Sequence, residues 1–165
     1  MVRTRYNCRT FTTVPQVNGM NHGEDNFPFA RPPINFFLTG EGRVRFANGD
    51  EYSGHWINGQ RNGFGFQIYA SGDLYQGQWI NDQFSGRGSF HNKNGDYYVG
   101  GWTYGKKNGN GVFFHCQSGE VYVGDFVNDE RQGLGLWRKL NGTSYNGMWN
   151  VGKKHGRGEY VQVVD

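Results

Sequence analysis

Residues 52–65 read Tyr52-Ser53-Gly54-His55-Trp56-Ile57-Asn58-Gly59-Gln60-Arg61-Asn62-Gly63-Phe64-Gly65. A ring, a glycine and a second ring alternate, an Asn-Gly pair follows, and a Gly-x-Gly closes the stretch. The pattern returns along the chain. Tyr52, Tyr75, Tyr98, Tyr122 and Tyr145 recur at intervals of 23, 23, 24 and 23 residues. Two residues after each stands Gly54, Gly77, Gly100, Gly124 or Gly147, and two further on Trp56, Trp79, Trp102, Phe126 or Trp149. The register continues through Gly63/Gly65, Gly86/Gly88, Gly109/Gly111, Gly133/Gly135 and Gly156/Gly158, with Gly40/Gly42 as a half repeat in front. A fixed period in this range marks an array of small stacked units.

Side chains at i, i+2 and i+4 share one face of an extended strand, so each Tyr-x-Gly-x-Trp reads as a strand with its rings on one side. The next strand carries Gly, Gly and a large residue at the same spacing: Gly86, Gly88, Phe90; Gly109, Gly111, Phe113; Gly133, Gly135, Trp137; Gly156, Gly158, Tyr160. The first repeat departs, with Gln67 in the third place. Glycine weakens a strand but clears room for a neighbour, so these glycines are read as sockets for rings from the adjacent strand. Asn48-Gly49, Ser71-Gly72, Asn94-Gly95, Ser118-Gly119 and Asn141-Gly142 punctuate the repeats, and Asn58-Gly59 marks a turn inside the first. The expectation is an all-β, single-layer antiparallel β-solenoid of about five hairpin repeats plus the leading half repeat. Ten or eleven strands at about 4.8 Å each give a twisted ribbon on the order of 50 Å long, held by nearest-neighbour stacking.

Composition agrees. Of 165 residues 28 are Gly and 28 aromatic, and a glycine costs a helix interior about 1 kcal/mol relative to alanine, which excludes a helical bundle. Four prolines and irregular glycine spacing exclude collagen. A net charge of +3 argues for no nucleic-acid partner. No apolar run approaches the roughly 20 residues a membrane span needs, and the first residues show no signal-peptide core; a cytoplasmic location is expected, with Cys8 and Cys116 as reduced thiols. Every proline precedes residue 40, whereas every tryptophan and 26 of the 28 glycines stand at or after it. Residues 1–39 are therefore assigned to a non-repeat anchor or cap, and 40–165 to the solenoid.

The motif Y-x-G-x-W-x-x-G-x-x-x-G-x-G, carried by Tyr52, Gly54, Trp56, Gly59, Gly63 and Gly65 and held in register five times, resembles the membrane occupation and recognition nexus (MORN) repeat. The resemblance covers about three quarters of the chain. It implies a slightly curved single sheet whose Tyr and Trp positions line a groove. Family members include scaffolds of ciliary radial spokes and other cytoskeletal assemblies, adaptors that hold a peptide, and arrays attached to lipid kinases, junctional membrane proteins or a histone methyltransferase. Phe126 in place of Trp, Asp82 and Asp129 in place of the mid-repeat glycine, and one extra residue before Gly119 depart from the pattern. Repeats two and four are expected to be less regular, with a bulge absorbing the extra residue.

Catalytic and metal signatures are missing. No phosphate-loop motif occurs, His22, His55, His91, His115 and His155 are scattered without metal spacing, and no nucleophile has a recognisable His and carboxylate context. Asn141-Gly142-Thr143 is a glycosylation sequon but is read as a repeat turn. The chain is expected to be no enzyme and to use no cofactor or metal.

Four candidate surfaces emerge. Tyr52, Trp56, Tyr75, Trp79, Tyr98, Trp102, Tyr122, Phe126, Tyr145 and Trp149 form an aromatic face with no second layer to cover it, a candidate groove for an extended or helical partner segment. Arg61, Lys107, Arg131 and Lys154, with Lys106 and Lys153 beside them and Phe84 interrupting, occupy the inner turns and form a cationic ladder at about 10 Å spacing; it faces anionic lipid or an acidic protein, or is simply a solvated edge. The final strand, taken as Gly156 to Val164, is a candidate for edge pairing through Tyr160, Val161, Val163 and Val164, with a partner or a second copy. Phe27, Phe29, Phe36 and Phe37 anchor the N-terminal tail on a partner or cap the Gly40 edge. The leading expectation is a non-catalytic scaffold in a cytoskeletal assembly, favoured to be a ciliary axonemal complex such as a radial spoke. The alternatives are a peripheral membrane tether and a peptide adaptor for a motor or signalling protein.

Overall fold

The computed structural model describes residues 38–164. Eleven strands follow one another: β1 Gly40–Arg45, β2 Glu51–Ile57, β3 Gln60–Ile68, β4 Leu74–Ile80, β5 Gln83–His91, β6 Tyr97–Thr103, β7 Lys106–His115, β8 Glu120–Val127, β9 Glu130–Arg138, β10 Ser144–Asn150 and β11 Lys153–Val161. They pair antiparallel in sequence order in one 11-stranded sheet, an open meander. This is the expected single-layer β-solenoid.

The register shows why the glycines recur. At every junction between repeats the Gly-x-Gly strand faces the next ring strand in the same way: Gly63 opposite Trp79, Gly65 opposite Gly77 and Gln67 opposite Tyr75, then Gly86 opposite Trp102, Gly88 opposite Gly100 and Phe90 opposite Tyr98. The two glycines of each pair have different tasks. A Cβ built on Gly111 would lie 2.5 Å from Tyr98 Cε2, so the second glycine is a socket for the tyrosine of its own repeat. The first, Gly63 and its equivalents, has φ between 59° and 82°, a region that L side chains avoid. It sits where the register slips between the ring strand and its own partner, after Gly54, Gly77, Gly100, Gly124 and Gly147. The bulge is thus a feature of every repeat.

Both kinds of turn also repeat. Each inner turn places two residues at positive φ: Asn58-Gly59, Asn81-Asp82, Tyr104-Gly105, Asn128-Asp129 and Val151-Gly152, as a two-residue type I′ hairpin requires. The expected irregularity of repeats two and four does not occur. Asp82 and Asp129 take the left-handed conformation at φ 65° and 73°, which short polar side chains tolerate, and each accepts a bond from the preceding repeat, from Arg61 N–H at 3.0 Å and Lys107 N–H at 2.9 Å. The extra residue before Gly119 is absorbed by an outer turn: Gly119 N–H reaches back four residues to the His115 carbonyl, whereas Gly49, Gly72, Gly95 and Gly142 reach back three. No strand bulges for it.

The core lies on one face. Tyr52, Tyr75, Tyr98, Tyr122 and Tyr145 each meet the Trp or Phe four residues on, edge to face at 4.9–5.5 Å. The first four also meet the corresponding ring of the next repeat at 5.0–5.6 Å. Such contacts contribute about 0.5–1.5 kcal/mol each beyond the area they bury. The rings from Tyr52 to Trp149, apart from Trp56 and Tyr145 at the two ends of the row, are therefore shared between neighbouring repeats.

Candidate partner-binding surfaces

The aromatic row satisfies its own polar atoms. Each tyrosine hydroxyl donates to the carbonyl three residues on: Tyr52 to His55 at 3.1 Å, Tyr75 to Gln78 at 3.0 Å, Tyr98 to Gly101 at 3.0 Å, Tyr122 to Asp125 at 3.1 Å and Tyr145 to Met148 at 2.9 Å. Each tryptophan Nε1 of the row donates to the carbonyl of the second Gly-x-Gly glycine of the preceding repeat: Trp56 to Gly42, Trp79 to Gly65, Trp102 to Gly88 and Trp149 to Gly135, at 3.0–3.3 Å. Phe126 has no such proton. Burial pushes the Tyr52, Tyr98 and Tyr122 hydroxyls up to about 12, because phenolate cannot be solvated there.

The ten residues proposed as a partner groove are between 0% and 6% exposed. The expectation that this face lies open is corrected: rings lie down across glycine pairs, lean edge-on against one another, and are covered by the side chain directly across the hairpin. That covering position is the cationic ladder. Arg61 pairs across from Trp56, Phe84 from Trp79, Lys107 from Trp102, Arg131 from Phe126 and Lys154 from Trp149, so all five share the ring face. The Arg61 guanidinium lies 4.3 Å from the Trp79 ring centre, Arg131 lies 5.0 Å from Tyr122, Lys107 lies 5.3 Å from Phe113, and Lys154 lies 4.0 Å from Trp137. Phe84 stacks on Tyr75 at 3.6 Å. Two surfaces that sequence reading placed apart are one lid over one row of rings, held by cation–π attraction. Burial draws Arg131 and Lys154 below their ordinary values. Lys106 and Lys153 do not face the rings; they begin their strands exposed.

The opposite face went unnoticed in the sequence. Val99, Val112, Val123 and Leu136 stand directly opposite one another on β6, β7, β8 and β9, and Tyr97, Phe114 and Val121 form a second row beside them. Val99 is 47% exposed, and Leu134 on the same face 65%. The signal was available in the residues between the motif positions: they are polar in Tyr75-Gln76-Gly77-Gln78-Trp79 but apolar in Tyr98-Val99-Gly100 and Tyr122-Val123-Gly124.

The family model of the MORN repeat matches residues 52–74, 75–97, 98–116, 122–144 and 145–162, more than half of the chain. The chain belongs to the MORN-repeat family. No curated protein sequence matches it significantly. Among solved structures it is similar to the TCP domain of SAS-4 (dCPAP) from Drosophila melanogaster, solved in complex with a proline-rich motif of Ana2 (dSTIL). Identity is 15%, the match covers 74% of this chain and 72% of that one, and the TM-score is 0.43.

The remaining sites fall at the ends of the MORN array. β11 ends at Val161, so Tyr160 and Val161 lie in the strand while Val163 and Val164 lie beyond it. Val163 N–H donates to Thr143 Oγ1 at 3.1 Å, tying the chain back to the last outer turn. Phe27, Phe29, Phe36 and Phe37 lie outside the described residues. Cys116 is buried, its backbone N–H donating to Asp96 Oδ1 at 2.8 Å, and Cys8 lies outside the described residues. Among the described residues no cluster of three or more metal-ligating side chains occurs, and no helix is long and apolar enough to cross a membrane.

Proposed function

We propose that this MORN-repeat chain is a non-catalytic scaffold or adaptor that holds protein partners within a cytoskeletal assembly. The observation that carries the reading is the exposed apolar band of Val99, Val123, Leu134 and Leu136 on the back of a sheet with no second layer among the described residues. Apolar surface gathered this way marks a contact for another macromolecule. The ring face is closed over itself, so a partner on that side meets the lid residues and ring edges. The favoured setting is the cytoskeleton of a cilium, in an axonemal complex such as a radial spoke; that step rests on analogy with other MORN-repeat proteins.

A peripheral membrane tether is the competing reading. Of its six cations, Arg61, Lys107, Arg131 and Lys154 lie over rings, which leaves Lys106 and Lys153 for lipid head groups. Detergent extraction of cells carrying the tagged protein separates the two. The scaffold reading expects retention with microtubules after membranes dissolve, and loss of that retention in Val99→Glu/Leu136→Glu with unchanged thermal stability. Release with the lipids, or binding to anionic vesicles that falls steeply with salt, would overturn it.

A further inference from the structure

Among the described residues β11 has a strand partner on one side only, whereas every other Gly-x-Gly strand from β3 to β9 has a ring strand on both. The four inner junctions between full repeats show what the open side of such a strand is shaped to receive. At each, the incoming strand sets Trp or Phe opposite the first glycine, Gly opposite the second, and Tyr opposite the residue two further on. Three of the four incoming rings are tryptophans that donate Nε1 to the second glycine's carbonyl, at Gly65, Gly88 and Gly135. The inner turn that follows donates a backbone N–H to the carbonyl of the lid residue, from Asp82 to Arg61, Gly105 to Phe84, Asp129 to Lys107 and Gly152 to Arg131, each at 3.0 Å.

On β11 the corresponding groups are the Gly158 carbonyl, the Lys154 carbonyl and the Gly156, Gly158, Tyr160 face. Tyr145 records the missing neighbour. It is 6% exposed while Tyr52 and Tyr75 are 0% exposed, and it meets one indole of the row where the other four tyrosines meet a ring on each side. All nine residues of β11 are exposed.

We infer that the open side of β11 is a binding site for an extended segment of a partner protein that carries an aromatic residue, glycine and tryptophan at i, i+2 and i+4, docked antiparallel as a twelfth strand. Main-chain bonds of the added strand supply affinity, and alternate side chains supply specificity. The glycine follows from the register, in which Gly77 stands opposite Gly65 and Gly100 opposite Gly88 at the equivalent junctions. The tryptophan is required because its Nε1 takes the Gly158 carbonyl and its ring closes over Tyr145. A second copy of this chain is a poor occupant. In the register of the inner junctions a second copy would set Val44 of β1 or Tyr160 of β11 opposite Gly156, and neither brings an indole N–H to the Gly158 carbonyl. The proposal specifies one partner chemistry within the scaffold reading and stands on the sheet edge alone.

The test is titration of the full chain into a fluorescein-labelled peptide of residues 73–82, which carries Tyr75, Gly77 and Trp79, followed by hydrogen exchange of the complex. Saturable binding is expected, weakened at least tenfold when the peptide carries Trp79→Ala, with new amide protection confined to residues 154–161. Because this change lies in the peptide, folding of the protein is not at issue. Absence of saturable binding, equal affinity of the altered peptide, or protection mapping to the back face would overturn the proposal. So would a stable dimer protected at 154–161 that excess peptide fails to dissociate. Partner retention in cells through the back-face valines is read separately, so either conclusion can fail alone.

Discussion

At the residue scale, two positions break the repeat at a cost that can be measured. Phe126 occupies a site that is tryptophan in the four other repeats, and the Gly111 carbonyl thereby lacks the indole donor that Gly65, Gly88 and Gly135 have. Phe126→Trp is expected to stabilise the fold by about 1 kcal/mol, the usual net value of one hydrogen bond, seen as a higher urea midpoint with unchanged slope. Val151 stands at φ 47° in the last inner turn, where a β-branched side chain is strained. Asn takes the same place in three of the four other inner turns, and Val151→Asn is expected to add about 1–2 kcal/mol by relieving that conformation. A lower melting temperature in either variant would contradict these accounts. Socket glycines offer the opposite case, since their Cβ would overlap a tyrosine ring with no room to move.

At the element scale, the hairpins are joined by more than strand ladders. On the outer side Asp50, Asp73 and Asp96 accept the backbone N–H of Ala70, Lys93 and Cys116 in the following turn, at 2.8–2.9 Å. Thr143 takes that role for Val163. On the inner side Asp82 binds both the backbone and the Nε of Arg61, at 3.0 and 2.9 Å, while Arg61 also donates to the buried Gln67. Gln67 is thereby explained: a polar side chain replaces the ring of other repeats because it completes this network. Asp82→Ala is expected to cost about 1–3 kcal/mol, since it removes two bonds and places an alanine at positive φ. Asp82→Asn keeps an acceptor and tolerates the turn, so it should lose less than half as much. Equal losses in the two variants, read by thermal denaturation, would show that charge and not geometry sets the contribution.

At the scale of the whole molecule, one row of rings is the core, and its chemistry sets a pH limit. Tyr52, Tyr98 and Tyr122 are held at about 12 by burial, above the ordinary tyrosine value of 10.0, and Tyr75 is raised further by the same cause. Their folded values exceed their unfolded ones, so the stabilising contribution is complete below about pH 10 and is lost as pH rises toward and through 12. Urea midpoints should be flat from pH 8 to 9.5 and then fall steeply, several protons being released on unfolding. A flat profile to pH 11.5 would mean that the hydroxyls are not buried in solution. Because each repeat touches only its neighbours, amide exchange should be fastest in β1 and β11, which have one strand neighbour each among the described residues, and slowest near β6.

Much of this architecture was legible in the residues because a period of about 23 leaves little freedom: alternation at i, i+2 and i+4 dictates a strand face, and paired glycines opposite rings dictate close antiparallel stacking. Tyr75, Gly77 and Trp79 could be assigned to one face before any coordinate was known, and so could the number of strands. What the spacing could not tell was how that face is closed. Arg61, Lys107, Arg131 and Lys154, with Phe84 interrupting, read as a ladder along the inner-turn edge because their sequence position places them next to a turn, while the two-residue hairpin and the bulge at Gly63 and its equivalents turn them across the sheet onto the rings. Whether a ring is buried depends on which side chain the register sets opposite it, and whether β11 keeps an open side depends on which strands have two neighbours. Both are properties of pairing between residues far apart along the chain, and only the folded sheet decides them.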